Sequence, residues 1–155
     1  MALSDDKVRQ RNEIRGWSTN GSTAGHLGAS WAWNLVSPEW SAIWPAASRP
    51  APYNDGKTMK VVVLMTDGEY NTIGGRMSGA NVAPSMGFAE ATCDAMKAQG
   101  VVVYTIGFEA PNGVKASLRK CASSDAKFFD AVDGQTLRDA FRAIAAEINS
   151  LRLSS

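Results

Sequence analysis

Apolar residues fall into two kinds of run along this chain, and each kind predicts an element. Lys60-Val61-Val62-Val63-Leu64-Met65-Thr66-Asp67-Gly68 is an unbroken apolar stretch of strand length that ends in a turn, the pattern of a parallel strand buried on both faces. Val101-Val102-Val103-Tyr104-Thr105-Ile106-Gly107 repeats the pattern, with a helical segment closed by Gly100 between the two. That order predicts a βαβ unit, and function in such sheets gathers at the carboxyl ends of the strands. Lys127-Phe128-Phe129-Asp130-Ala131 reads as a third, shorter strand.

Helical spacing supplies the rest. Leu27, Trp31 and Leu35 share a face, which places Trp31 in the core, and Pro38 breaks the segment. Ser85 is expected to cap a helix from about Met86 to Gln99, with Ala89, Cys93 and Met96 on one face and Gly100 terminating it. Val114, Leu118 and Cys121 mark a short helix, and Leu137, Phe141, Ile144, Ala145, Ile148 and Leu151 mark the last one, with Asp133 as its cap. Residues 4–20 are polar and read as a short helix or irregular arm. The turn-rich stretches 37–58 and 69–84 are of a length that often carries binding loops.

These elements make an arm over 1–20 and one α/β domain over 21–155, three strands each followed by a helix. Right-handed crossovers would add both later strands on one side of Val61–Met65. The other edge of that strand then has no partner in the chain.

Composition narrows the function classes. The 155 residues suffice for one core. Sixteen Lys and Arg against fifteen Asp and Glu leave a net charge of +1, so no field draws nucleic acid or an anionic membrane. No apolar run is long enough to span a membrane, and Met1–Lys7 lacks the start of a signal peptide. Cys93 and Cys121 match no zinc spacing, and stand as two buried thiols or one disulfide.

Asp67 sits where a parallel strand runs into its loop, and Thr23 lies in the small-residue loop Gly21-Ser22-Thr23-Ala24-Gly25-His26-Leu27-Gly28. A carboxylate and a hydroxyl suit a hard cation such as Mg²⁺, although two oxygens alone would not hold it. The simpler alternative is that Thr23 caps its helix and Asp67 makes the turn. His26, the single histidine, lies beside Ser22 and Thr23. Adjacent residues on one turn seldom set a nucleophile against an oriented base, and no Gly-x-Ser-x-Gly elbow occurs, so no catalytic residue is assigned and a hydrolase using His26 is the weaker reading. All five tryptophans lie between Trp17 and Trp44. Trp40 and Trp44 either mark a contact surface or pin their loop to the sheet, the second being simpler.

Val62-Val63-Leu64-Met65-Thr66-Asp67-Gly68 resembles the third metal-site motif of von Willebrand factor A domains, and residues 21–28 resemble their threonine loop. Three further stretches resemble the C-terminal part of TadG-like proteins of the tight-adherence (Flp) pilus assembly system. They are Trp31-Ala32-Trp33-Asn34-Leu35-Val36-Ser37-Pro38, Tyr104-Thr105-Ile106-Gly107-Phe108, and Cys121-Ala122-Ser123 followed by Phe128-Phe129-Asp130 and residues 137–153. The resemblance implies a Rossmann-like three-layer α/β fold and a non-enzymatic interaction or scaffold module, placed in the periplasm or cell envelope with pilus or envelope proteins as partners. It also implies a metal-ion-dependent adhesion site with Thr23 and Asp67 as two of its ligands.

The family's Asp-x-Ser-x-Ser motif, carried on its first, central strand, does not occur here. The chain is therefore expected to be an N-terminally truncated form of such a domain with an incomplete metal site, and a purely structural domain that binds no metal is the rival. Self-association through the bare sheet edge is expected as well. An extracytoplasmic setting would favour a Cys93–Cys121 disulfide.

Overall fold

The computed structural model describes residues 1–18, 22–73, 76–77 and 82–152. Three strands form the main sheet: β1 (Val61–Thr66), β4 (Val102–Phe108) and β5 (Phe128–Ala131). Their order is β1-β4-β5 and all pairs are parallel, with Val61 opposite Val102 and Thr105 opposite Phe128. The predicted βαβ unit is thus present, joined by α3 (Val82–Ala98), and both later strands stack on one side of β1.

Helices cover the two faces unequally. On one face, α2 (Gly25–Val36) and α3 pack together, and α4 (Asn112–Cys121) lies beside them. The core there joins Val62, Val103, Met96, Cys93 and Cys121, with Ala32, Trp33 and Val36 packed against it. On the other face α5 (Gly134–Arg152) sets Ala140 and Ile144 on Tyr104 and Ile106. Asp133 caps α5 as the sequence predicts, accepting the Thr136 N–H at 2.7 Å. Gly100 ends the α3 turn at φ +77°, a conformation only glycine adopts without strain.

Cys93 and Cys121 are joined in a disulfide that ties α3 to α4, with Cα atoms 5.1 Å apart. Of the two states left open by spacing, the structure shows the bonded one. The Ser123 that follows replaces a strand neighbour: its N–H donates to Val103 O and its Oγ accepts from Val103 N–H, both at 2.9 Å.

Four expectations need correction. β1 is not buried on both faces, because Val63 is 37% and Met65 53% exposed; α5 packs on β4 and β5, and Val61 is the β1 residue packed against its core. Trp31 is not core but 54% exposed, tilted against Trp40 with ring centroids 6.4 Å apart. The buried stripe of α2 is instead His26 and Ala29, since tight packing against α3 selects a small residue over a large one. Ser85 is no cap, because α3 begins at Val82 and Ser85 is wholly buried inside it. The 69–84 stretch is not simply a loop: β2 (Thr72–Ile73) and β3 (Arg76–Met77) pair there as a small antiparallel hairpin.

The arm holds a helix, α1 (Lys7–Arg15), whose N-cap Asp6 accepts from the Val8 and Arg9 N–H groups. Residues 37–58 include two short 3₁₀ turns and fasten to the domain. Trp44 Nε1 donates to Asn34 O at 3.0 Å, and Trp33 Nε1 donates to the Tyr53 hydroxyl at 2.8 Å. Trp44 therefore pins its loop while Trp40 stays 41% exposed. Among the described residues no helix is long and apolar enough to cross a membrane.

Candidate functional site

The apolar run of β1 ends at Thr66, and its hydroxyl makes the turn that follows. Thr66 Oγ1 donates to Gly68 O at 3.1 Å and accepts the Gly68 N–H at 3.3 Å, a local closure typical of threonine. The turn is thus fastened by Thr66, which leaves Asp67 exposed at the carboxyl end of the sheet. Asp67 making the turn with its own side chain is not what the fold uses.

The threonine loop comes to the same rim through Asn71. Asn71 Oδ1 accepts the Thr23 N–H at 2.7 Å, and the Asn71 N–H donates to Thr23 O at 3.1 Å. This two-way clamp sets Thr23 against the turn, where a Cβ built on Gly68 would stand 3.6 Å from Thr23 Oγ1. Ala24, not Thr23, is the N-cap residue of α2, and no side chain caps that helix. The capping role is therefore excluded for Thr23. The two residues singled out by sequence, distant along the chain, belong to one small patch. Asn71, which holds them together, has no signal in the linear pattern beyond lying in an Asn- and Gly-rich stretch.

Tyr70 supports the clamp from below. Its ring lies over Gly25, where a Cβ would collide with the ring carbons. Burial raises the pKa of its phenol. Gly25 thus lets the start of α2 approach the loop after β1, and the small-residue character of 21–28 has a packing cause.

His26 is tied to α3. Its Nδ1 lies 2.7 Å from Ser85 Oγ, and both residues are buried. His26 therefore joins α2 to α3 through Ser85, and Ser85, with no exposed surface, is closed to a substrate.

The donors at the rim can be tested against a cation. Magnesium takes an octahedron of oxygens, whereas Thr23 and Asp67 supply one hydroxyl and one carboxylate. Among the described residues no group of three His, Cys, Asp or Glu side chains gathers to hold a metal. Among the described residues the rim offers these two side chains as donors. What the patch does present is an exposed carboxylate beside a hydroxyl on a rigid turn, a surface able to accept hydrogen bonds or pair with a cation from outside.

The family model described as von Willebrand factor type A domain matches residues 45–143, a span that contains Asp67 but begins after Thr23. No curated protein matches the sequence. Among solved structures, the chain is similar to the pilus adhesin SpaC from Lactobacillus rhamnosus GG, with a TM-score of 0.65 at 12% identity, over 94% of this chain and 21% of the adhesin chain. The chain thus spans about a fifth of that adhesin's length. At this identity the likeness concerns the fold.

Proposed function

The chain belongs to the von Willebrand factor type A family, and on that premise we propose that it is a non-enzymatic protein-interaction module whose contact surface is the rim formed by Thr23, Gly68 and Asp67. The observation that carries this reading is the Asn71 clamp. It spends two hydrogen bonds on holding a polar loop against the end of β1, beside the exposed carboxylate of Asp67.

The partner would be a protein of a pilus or of the cell envelope. Support comes from the TadG-like stretches in the sequence and from the fold shared with a pilus adhesin. The periplasm or cell surface is the setting we assign, and the buried disulfide supports it, because such bonds persist in oxidising compartments. In this reading Thr23 and Asp67 are two ligands of an incomplete adhesion site, and contact is made through their own oxygens without a resident Mg²⁺.

Binding of a tight-adherence pilin subunit, measured by biolayer interferometry with and without Mg²⁺, tests the reading. The expected result is metal-independent binding that Asp67→Ala weakens at least roughly tenfold while leaving the melting temperature unchanged. Absence of binding, or binding indifferent to Asp67→Ala, overturns it. Calorimetric titration of Mg²⁺ alone is expected to give no heat of binding, and a saturable heat lost in Asp67→Ala would restore the cation.

A further inference from the structure

We propose that the outer face of α2 is an interface with a second copy of this chain, the two α2 helices packing antiparallel about a two-fold axis. The helix is apolar on both sides. Ala29, Ala32, Trp33 and Val36 pack inward against α3 and the sheet, while Leu27 and Trp31 stand 36% and 54% exposed on the opposite side and Leu35, one turn further, is half-buried. None of the residues of Gly25–Val36 is Asp, Glu, Lys or Arg. A helix that is apolar all round belongs in a covered setting, and among the described residues only its inner side is covered. The surface faces away from the sheet, so a further strand beside β1 would lie under α2 and leave this surface outside.

The surface continues onto the turn that follows. Trp40 lies against Trp31 with ring centroids 6.4 Å apart, and Ile43 stands three residues on in the same 3₁₀ helix (Pro38–Ile43), where residues i and i+3 are eclipsed. Trp40 and Ile43 are 41% and 54% exposed, so Leu27, Trp31, Trp40 and Ile43 form one row. The two tryptophans alone hold open about 240 Å², and the row as a whole exceeds ~300 Å², the size at which a surface patch often carries function. Protein interfaces are about six-tenths apolar, so the row can seed roughly 500 Å² per copy, or ~1,000 Å² in all, the lower limit for a specific interface. A weak, reversible dimer is the expected state.

The stripe is complementary to itself. Leu27, Trp31 and Leu35 recur at i, i+4 and i+8, so a two-fold axis at Trp31 sets each Leu27 beside Leu35 of the other copy. The exposed Gly28 adjoins this stripe, and a Cβ built on it meets nothing within 4 Å. It leaves a recess beside Leu27 that receives Leu35 of the other copy. Parallel pairing would set the two recesses together and leave a void. Charge agrees with the antiparallel direction. No side chain caps the N-terminus of α2, and the exposed Glu39 lies beyond its C-terminus. Antiparallel pairing carries Glu39 towards the positive end of the other helix, whereas parallel pairing holds it at the negative end. The interface is isologous and closed, which limits it to a dimer.

Sedimentation velocity of the chain from low micromolar to near-millimolar concentration tests this, with circular dichroism to check folding. A reversible monomer–dimer equilibrium is expected, and Trp31→Glu should raise its dissociation constant at least roughly tenfold. Ile43→Glu, in a different element, should act in the same direction, a result that stands even if Trp31→Glu fails to fold. The double variant Leu27→Cys/Leu35→Cys should form a covalent dimer when its thiols are oxidised by diamide, and neither single change should. A monomer at every concentration, growth past the dimer, a dimer indifferent to both glutamate changes, or cross-linking by a single cysteine variant overturns the proposal. So does a chain that stays monomeric and binds phosphatidylcholine vesicles through Trp31, which would assign the surface to lipid. Pilin binding is measured separately, so the rim contact and the α2 contact can fail independently.

Discussion

Lys60 shows how one residue serves three neighbours. Its ammonium holds the last turn of α2 through Val36 O, the 37–58 loop through Ala51 O, and lies 5.3 Å from the centroid of the Tyr53 ring. Desolvation lowers its pKa from the usual 10.5, with Asp55 opposing weakly. As pH climbs from the lowered value towards 10.5, the unfolded chain retains a proton that the folded chain has lost, so stability from this group rises with pH across that window. Lys60→Met should cost about 2–3 kcal/mol at neutral pH, because two buried carbonyls lose a charged donor. Urea unfolding should show that deficit widening as pH approaches 10; a narrowing deficit would contradict the assignment. In sequence Lys60 reads only as the polar flank of a strand, because nothing local says where a flexible side chain of that length will end.

At the scale of elements, two contacts position the site. The start of α2 depends on Gly25 lying under Tyr70. Gly25→Ala should destabilise the fold by about 1–3 kcal/mol through overpacking, measurable by urea unfolding, and shift the amide resonances of Thr23 and Asn71. A silent substitution would mean that α2 docks differently. The second contact is the disulfide between α3 and α4, which closes a separation of 28 residues. Reduction, or Cys93→Ser with Cys121→Ser, should remove roughly 3–4 kcal/mol in the chain-entropy description, again read from urea midpoints with and without reductant. The α3 stripe of Ala89, Cys93 and Met96 was legible because a helix packed on a sheet must show its period. The α2 spacing points to its large residues, because a periodic pattern does not say which of two apolar stripes faces inward. Leu27 and Trp31 are the exposed one.

Among the described residues the main sheet is asymmetric, with β4 flanked on both sides and β1 on one. Hydrogen exchange at dilute concentration should show this as an alternation along β1. Amides of Val62, Leu64 and Thr66 should be protected and those of Val63 and Met65 should exchange orders of magnitude faster, while β4 is protected throughout. Uniform protection along β1 in a monomer would mean that its outer edge is covered. This asymmetry also explains the exposed Val63 and Met65, since a strand with the composition of an interior strand occupies an edge.

The α/β class, the order of strand and helix, the caps at Asp133 and Gly100, and the place of Asp67 just past the end of a parallel strand were set by the chain alone. Each rests on periodicity, turn chemistry or a short motif, which act over a few residues. Folding in three dimensions decided the rest: Asn71 clamping Thr23 to the end of β1, His26 pairing with Ser85, Lys60 turning inward, and Cys93 meeting Cys121. These are contacts between residues far apart in the chain, and their geometry exists only once the helices have packed on the sheet.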